Sequence, residues 1–131
     1  MSLLDASSIF EALRTLNLKP LEGSSTLDLA RYEVGNAVWK HSNLLHTLAP
    51  EEAKLLIGEA SRLFSLLNIV GVSEGEADVL ELAVSQKITF YDASYLYKAK
   101  EMGASIVTED AQLAEKAHEL GLETFRLESL I

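Results

Sequence analysis

The sequence predicts a three-layer α/β fold, in which a parallel β-sheet is flanked by helices on both faces. Short apolar segments alternate with amphipathic segments along the chain, which is the pattern of repeated strand–helix units. The composition, 48% hydrophobic and 24% charged, is that of a globular protein. A length of 131 residues suits one domain, since it is enough to bury a hydrophobic core. We therefore expect a single domain over residues 1–131.

The predicted strands and helices follow one another in order. Five short apolar segments are expected to be strands, at residues 2–5, 25–27, 68–72, 105–108 and 123–126. Between them, apolar residues recur at helical spacing and predict helices at 8–16, 28–45, 50–67, 73–85, 92–102 and 110–120. Because each strand is followed by at least one helix before the next, the strands are expected to pair in parallel.

Residues with known preferences at helix ends set the boundaries of these helices. Pro50, followed by two glutamates, begins one helix, because proline suits the first helical position and acids suit the positive end of the helix dipole. Ser73 and Glu76 form a capping-box pattern before another. Gly103 and Gly121 end two later helices. The other helices start at residue types that commonly serve as N-caps: Ser7 and Ser8, Asp28, Asp92 and Asp110.

The composition also limits the partners and the compartment. With 20 acidic and 11 basic residues, the net charge is -9, so the chain has no long-range attraction for nucleic-acid phosphates. Any nucleic-acid role must rely on bound cations, on a local basic patch or on an oligomer. The absence of cysteine excludes disulfides and thiolate metal sites. No apolar run approaches the roughly 18 residues that span a bilayer, and no secretory signal is evident. We expect a cytoplasmic protein without membrane contact.

Four acids are predicted to meet at one edge of the sheet. Asp5, Asp92 and Asp110 lie near predicted strand ends, and Glu33 lies in the first turns of the helix after the second strand. Ligands bind outside the carboxyl ends of parallel strands. Hard oxygen ligands favour Mg²⁺ or Mn²⁺, and such sites activate water and stabilise phosphoryl oxygens. Taken singly, Asp92 and Asp110 fit helix N-caps and Glu33 fits a solvated helix acid, so it is their combination that predicts a site.

Other polar residues are candidates for supporting roles. Asn36 and Lys40 follow Glu33 by three and seven residues and share its helix face. Asn36 is placed to orient Glu33 or a bound water, and Lys40 to contact a phosphate; the alternative is a surface ladder of polar side chains. Ser7 and Thr108 are placed to hold a metal-bound water or, alternatively, to cap helices.

Four tyrosines are candidates for contact with bases. They are Tyr32, Tyr91, Tyr95 and Tyr97. Aromatic rings stack on unpaired bases in many nucleic-acid-binding proteins. They also supply large buried areas in cores, and for these four we expect packing in the core.

Four segments of the chain together resemble the PIN-domain family, in particular the VapC-type toxin ribonucleases. The segments are DAS at 5–7, YEVGNAVWK at 32–40, YDASY at 91–95 and TED at 108–110. They span nearly the whole chain, and their acids follow in the family's order. The resemblance implies a parallel-sheet α/β fold and an acidic active site, dependent on Mg²⁺ or Mn²⁺, that cleaves RNA phosphodiester bonds.

The resemblance also implies roles for individual residues and partners. The matching positions make Asp5, Glu33, Asp92 and Asp110 the catalytic, metal-binding quartet. Ser7, Asn36 and Thr108 match the family's supporting polar positions. Members of the VapC type commonly form homodimers and are inhibited by a VapB-type antitoxin that covers the site, so both partners are expected here.

The predicted function is therefore a metal-dependent endoribonuclease, the toxin of a VapBC-type toxin–antitoxin pair. The alternative is a PIN-like module that binds RNA or a protein without cleaving it. A receiver-like phosphoacceptor domain also gathers acids at strand ends, but it requires adjacent acids after the first strand and a lysine after the last. Here Asp5 is followed by Ala6, and the basic residue near the last strand is Arg126.

Overall fold

Strands and helices alternate along the chain in the structure, a computed structural model that describes residues 1–130. Ile131, the last residue of the predicted domain, lies outside the described residues. Residues 1–130 form five strands: β1 (Ser2–Leu4), β2 (Ser25–Leu27), β3 (Asn68–Val70), β4 (Ser105–Val107) and β5 (Thr124–Phe125). The same residues form six α-helices: α1 (Ala6–Thr15), α2 (Leu29–Trp39), α3 (Pro50–Leu66), α4 (Glu76–Gln86), α5 (Phe90–Met102) and α6 (Ala111–Glu119).

All five strands pair in parallel in one sheet, in the order β3-β2-β1-β4-β5. The central strand is β1, where Leu4 pairs with Thr26 on one side and with Val107 on the other. From β1 the chain moves outward through β2 to β3, and it then crosses to β4 and β5 on the other side of β1. Such a reversal opens a crevice at the carboxyl ends of the two strands beside it, here β1 and β4.

Helices cover both faces of the sheet and bury two cores. Successive strand side chains point to opposite faces. Leu3 and Ile106 are fully buried against α5 and α6, whereas Leu4 and Val107 are fully buried against α1, α2 and α3. Burial of each such side chain contributes roughly 1.5–3 kcal/mol. The predicted three-layer α/β arrangement is therefore confirmed, and a smaller cluster around Val79 holds α4 against α5.

Two helix starts differ from the prediction because a neighbouring residue caps the helix instead. The start of α1 is capped by Asp5, whose side chain accepts a hydrogen bond from the Ser8 backbone N–H, so the serine caps were wrong. The N-cap of α4 is Gly75 rather than a Ser73–Glu76 capping box. A Cβ at position 75 would meet the Tyr97 ring and hydroxyl, so a larger residue there would require the Tyr97 side chain to shift.

The start of α5 differs in a way that affects the candidate site. Thr89 is the N-cap, and its hydroxyl accepts a 3.1 Å hydrogen bond from the Asp92 backbone N–H. Asp92 is therefore the third residue of the helix, and its carboxylate is not used as a cap. A helix opened by Asp92 itself was the wrong assignment.

Other helix ends agree with the sequence. Pro50 is the first residue of α3, and Glu52 accepts a hydrogen bond from the Ala49 backbone N–H at 2.9 Å. Gly103 ends α5 with a left-handed φ of 68°. Helix α2 continues as a π-helical turn over Lys40–Leu44, so its predicted end near residue 45 is confirmed. Among residues 1–130, no helix combines the length and apolarity needed to cross a membrane.

Candidate active site

The first predicted acid, Asp5, is held firmly at the carboxyl end of β1. It is 5% exposed. Its Oδ1 accepts hydrogen bonds from the Ser8 backbone N–H at 2.9 Å and from Ser7 Oγ at 2.8 Å, and its Oδ2 accepts one from Thr108 Oγ1 at 2.5 Å. A carboxylate offers about four acceptor positions, so one remains on Oδ2. Burial raises the pKa of Asp5, while the hydrogen bonds from Thr108, Ser8 and Ser7 act to lower it.

The hydroxyls of Ser7 and Thr108 join the turn after β1 to the turn after β4. Thr108 is buried; besides donating to Asp5, its Oγ1 accepts a 3.0 Å hydrogen bond from the Asp110 backbone N–H. Ser7 Oγ accepts one from the Glu109 backbone N–H at 2.9 Å. Both residues therefore fix Asp5 and the Asp110 turn relative to each other, at the crevice that the strand order creates.

Asp110 both caps a helix and keeps an oxygen free. It is the N-cap of α6, with Oδ1 accepting from the backbone N–H groups of Gln112 at 2.9 Å and Leu113 at 3.3 Å. No residue among 1–130 donates a hydrogen bond to its Oδ2. The side chain is exposed at the edge of the crevice. The capping alternative and the ligand assignment are thus compatible, because they use different oxygens.

Glu33 is held on α2 by Tyr95, a residue expected to pack in the core. The Tyr95 hydroxyl donates a 2.8 Å hydrogen bond to Glu33 Oε1, and Tyr95 is 2% exposed. Burial raises the pKa of Glu33, and the charges of Asp92 and Asp5 raise it further, against the opposite effect of the Tyr95 hydrogen bond. Burial also raises the pKa of Tyr95 far above its usual range, so the phenol stays a donor.

Asp92 is the acid with the fewest contacts. It is half-buried in the first turn of α5, and its carboxylate accepts no hydrogen bond from any residue in 1–130. Burial raises its pKa, and the charges of Asp110 and Asp5 add to the rise. The charges of Asp92 and Asp5 act on the pKa of Glu33, and those of Asp110 and Asp5 act on the pKa of Asp92, so the four predicted acids lie in one region of the structure.

No basic side chain among residues 1–130 forms an ion pair with any of these four acids. The ion pairs of this part of the chain lie elsewhere on the surface: Arg14–Glu11, Arg62–Glu59, Lys98–Glu101, Lys116–Glu119 and Arg126–Glu109. The donor set, carboxylate oxygens alone, is the kind that Mg²⁺ and Mn²⁺ prefer. As the side chains are placed, no three His, Cys, Asp or Glu residues of 1–130 are grouped closely enough to hold one metal ion.

A cleft of about 450 Å³ opens beside Glu33. It is lined by Leu29, Tyr32, Glu33, Asn36, Ala37, Lys40 and Tyr91. Asn36 and Lys40 therefore share one face with Glu33, as their spacing predicts. No hydrogen bond joins either of them to Glu33 within residues 1–130, where Tyr95 orients the carboxylate instead. Tyr95 lies three residues after Asp92 on α5, so helical spacing was the signal that could have linked it to the site.

The structure divides the four tyrosines into two groups. Tyr95 is buried in the core and Tyr97 is half-buried, but Tyr32 is 75% exposed and Tyr91 is 58% exposed. The expectation of core packing was therefore wrong for Tyr32 and Tyr91. Both line the cleft, and each directly precedes one of the acids along the chain.

Two relatives resemble the chain in sequence over most of its length. Ribonuclease VapC3 of Pyrobaculum aerophilum is 40% identical over 91 residues, which cover 70% of this chain and 69% of the relative. Exonuclease VapC9 of the same organism is 35% identical over 119 residues, covering 87% of this chain and 84% of the relative. No protein-family model matches the chain.

Solved structures share the fold. The crystal structure of PAE2754 from Pyrobaculum aerophilum superposes with a TM-score of 0.82 and 27% identity, over 98% of this chain and 90% of that one. FitAcB from Neisseria gonorrhoeae superposes with a TM-score of 0.61 and 18% identity, over 99% and 100% of the two chains, which is a likeness of fold. With the two sequence relatives, the strand order and the acids at its switch point, the chain belongs to the VapC family of PIN-domain proteins.

Proposed function

We propose that this protein is a metal-dependent endoribonuclease and the toxin of a VapBC-type toxin–antitoxin pair. The observation that carries the proposal is that Asp5 and Asp110 lie at the β1/β4 crevice, with Glu33 and Asp92 near enough for the charges of the acids to interact, and that none of the four has a basic partner among residues 1–130. Family membership and the ribonuclease and exonuclease names of the two relatives support a nuclease. Helix capping or salt bridges would not explain why four acids lie in one region of the structure.

The proposed ligands are Asp5, Glu33, Asp92 and Asp110. The last three each keep an oxygen free of hydrogen bonds from residues 1–130, and Asp5 keeps one acceptor position on Oδ2. Hydrogen bonds from neighbouring groups hold the carboxylates of Asp5, Glu33 and Asp110 in place. Asp92 has no such bond, so its carboxylate is free to rotate toward a cation. Burial raises the pKa values of Asp5, Glu33 and Asp92, and the charges of neighbouring acids raise those of Glu33 and Asp92 further. A bound cation would offset both effects.

At such a site Mg²⁺ or Mn²⁺ supplies activation of a water for in-line attack and neutralisation of charge on the phosphoryl oxygens. The chain's own residues supply the geometry. Ser7 and Thr108 fix Asp5, and Tyr95 fixes Glu33. Lys40, on the cleft beside Glu33, is proposed to contact a phosphate of the RNA.

The first test is cleavage of a mixed-sequence single-stranded RNA with Mn²⁺, with Mg²⁺ and with a chelator. We expect wild-type protein to cut only with metal, and Asp92→Asn to lose at least about 100-fold in rate, because an acid that would hold the cation becomes a neutral amide. Circular dichroism and the thermal midpoint should show an intact fold in the variant, since Asp92 caps no helix. Full activity in Asp92→Asn would refute the assignment of the acids.

A circular RNA separates endonuclease from exonuclease action; one relative is named a ribonuclease and the other an exonuclease. An exonuclease needs a free end and leaves the circle intact, whereas an endonuclease converts the circle to a linear strand. We expect linear product. A linear control of the same sequence reports on activity itself, and digestion of that control alone would replace the proposal by an exonuclease.

The second candidate function is a module that binds RNA or protein without cleaving it. It is favoured by the placement of the acids, since no three of these side chains in residues 1–130 are close enough for one metal ion. Calorimetric titration with Mn²⁺ separates the two. Saturable binding that Asp92→Asn weakens supports the nuclease, and absence of binding at millimolar Mn²⁺ supports the module.

The proposal extends to partners and location. A VapB-type antitoxin, a homodimer and a cytoplasmic location are expected for a VapC-type toxin. Large apolar side chains that are exposed on the helical surface supply area for such contacts: Trp39, Leu55 and Ile57 on α2 and α3, and Leu80 and Val84 on α4. Mass measurement by light scattering would test the dimer.

A further inference from the structure

The cleft beside Glu33 carries two exposed aromatic rings whose role the acids do not explain. Tyr32 and Tyr91 come from different helices, α2 and α5, and line the same cleft. Exposed aromatic rings that lie together on a surface commonly mark a binding site. Glu33 lines the same cleft, so a molecule that contacts the rings also reaches this acid.

Tyr91 has open space on more than one side. It lines the cleft of about 450 Å³ and also a second cavity of about 180 Å³, to which Phe90, Leu29 and Val72 contribute. The Tyr91 ring thus lines two cavities, and most of the surface of each cavity is apolar. A flat, partly apolar ligand can pack there, and a ligand that is only charged gains little from it.

The charge of the chain narrows the kind of ligand. A net charge of -9 gives a strand of RNA no general attraction to this surface. Lys40 is the basic residue that lines the cleft. Stacking of bases on aromatic rings does not depend on net charge and tolerates any sequence, because every base has a π-face. A double helix buries those faces, so the favoured ligand is a single strand.

We propose that Tyr32 and Tyr91 form a stacking subsite for unpaired bases of single-stranded RNA beside the acid cluster, with Lys40 contacting the backbone. The inference rests on the proposed function, since it names the substrate class of the same site. The affinity for RNA then comes mainly from bases rather than from phosphates.

The test measures binding in the Asp92→Asn protein, so that the RNA stays intact. Fluorescence anisotropy of a short labelled single-stranded RNA measures the affinity of three proteins: this parent, and two variants that carry Tyr32→Leu or Tyr91→Leu in addition. Each leucine variant is expected to weaken binding by roughly 5- to 150-fold. Tyr32→Phe and Tyr91→Phe keep the ring and are expected to bind like the parent. Trp39→Leu is the control, because Trp39 is an exposed aromatic residue of α2 that lines a different groove.

An abasic strand separates stacking from structural damage. The same oligonucleotide backbone without bases keeps every phosphate, so it should bind the parent weakly and lose no further affinity in Tyr91→Leu. Lys40→Gln should instead weaken binding of both strands by a similar factor, because its contact is to the backbone.

Equal affinity of the parent and both leucine variants for the intact strand would overturn the subsite, as would a parent that binds no RNA. If those variants instead shift the protein from dimer to monomer in light scattering, the rings belong to contact between copies of the chain. Wild-type cleavage of RNA separates this failure from failure of the proposed function. If RNA binding depends on the tyrosine rings but the wild-type protein cleaves no RNA, the stacking subsite is supported and the nuclease function is refuted.

Discussion

Asp92 and Asp110 show how two similar residues take different roles. Both lie in the first turn of a helix near the end of a strand or loop, and the sequence alone fits either as an N-cap. Asp110 is a cap, because its Oδ1 accepts from two backbone N–H groups of α6. Asp92 is not, because Thr89 three residues earlier supplies the capping oxygen. Threonine and aspartate are both good caps, so sequence pattern alone could not separate these alternatives.

Tyr95 is predicted to be a positioning residue for Glu33. Tyr95→Phe removes the hydroxyl that donates to Glu33 and keeps the ring in the core. Loss of such a supporting partner typically weakens metal binding by about 10- to 100-fold, so we expect that drop in Mn²⁺ affinity by calorimetry. The thermal midpoint should change little.

Tyr97→Phe is the matched control for this variant. Tyr97 lies on the same helix, but its hydroxyl donates to Glu101 on the surface. Its removal should leave Mn²⁺ affinity unchanged. Equal Mn²⁺ affinities of wild type and Tyr95→Phe would assign Tyr95 to packing alone.

The sequence identified the acids of the candidate site more completely than their surroundings. The four acids, Ser7 and Thr108 lie together in the structure. Helical spacing could have placed Tyr95 beside Asp92, but it could not have named Glu33 as the partner of its hydroxyl, because that hydrogen bond joins α5 to α2. The exposure of Tyr32 was missed as well.

Among the elements, the two turns after β1 and β4 depend on each other. Each ends a central strand and starts a helix, and the hydroxyls of Ser7 and Thr108 bridge them. The strands themselves are only three residues long. The bridge therefore contributes to holding the edge of the sheet as well as to fixing Asp5.

Thr108→Val tests this bridge. The substitution keeps the shape of the side chain but removes the donor to Asp5 Oδ2 and the acceptor for the Asp110 backbone N–H. Loss of a buried hydrogen bond to a charged group costs roughly 1.5–3 kcal/mol, so the free energy of unfolding in urea should fall by that amount. Thr15→Val, at an exposed hydroxyl that donates only to a backbone carbonyl of its own helix, should change it by less than about 0.5 kcal/mol. Similar small losses in both variants would refute the bridge.

Element boundaries were predicted less well than the elements. All predicted strands and helices exist, but β3 was expected at 68–72 and ends at Val70. Its neighbour β2 ends at Leu27, which pairs with Val70, so no strand remains for Gly71 and Val72 to pair with. A strand's length is set by its partner, and the sequence of the strand alone does not contain that partner.

For the molecule as a whole, the strand order could not be derived from the sequence. Parallel strand–helix units look alike along the chain whichever side of β1 they occupy. The order β3-β2-β1-β4-β5 depends on which helices cover which face. The prediction that the acids converge still held, because every parallel order brings the carboxyl ends of the strands to one edge.

The gathering of acids predicts how stability depends on pH. In metal-free protein burial raises the pKa values of Asp5, Glu33 and Asp92, and neighbouring acids raise those of Glu33 and Asp92 further. A raised pKa contributes stability that is present below the ordinary value, 3.8 for Asp, and is lost as the pH rises through the folded value. Asp92→Asn removes one charge from the cluster. With chelator present, its thermal midpoint should exceed that of wild type at neutral pH.

The difference in thermal midpoint should shrink as the pH falls through the raised pKa of Asp92 toward the ordinary value of 3.8, because the wild-type carboxyl then takes up its proton. Differential scanning calorimetry over a series of pH values measures it. Glu101→Gln serves as a control of opposite sign, because hydrogen bonds from Lys98 and Tyr97 lower the pKa of this exposed acid. A midpoint difference that is independent of pH would mean that Asp92 acts through packing instead of charge.

The order of the strands also decides when, during synthesis, the site can exist. Asp5 and Glu33 leave the ribosome early, but β1 gains its second neighbour, and Asp5 its bond from Thr108, only when β4 has been made. Asp110 follows still later. A nascent chain up to α5 holds an incomplete set of acids on half a sheet. For the nuclease proposed above, the set of four acids is complete only after Asp110 has been synthesised.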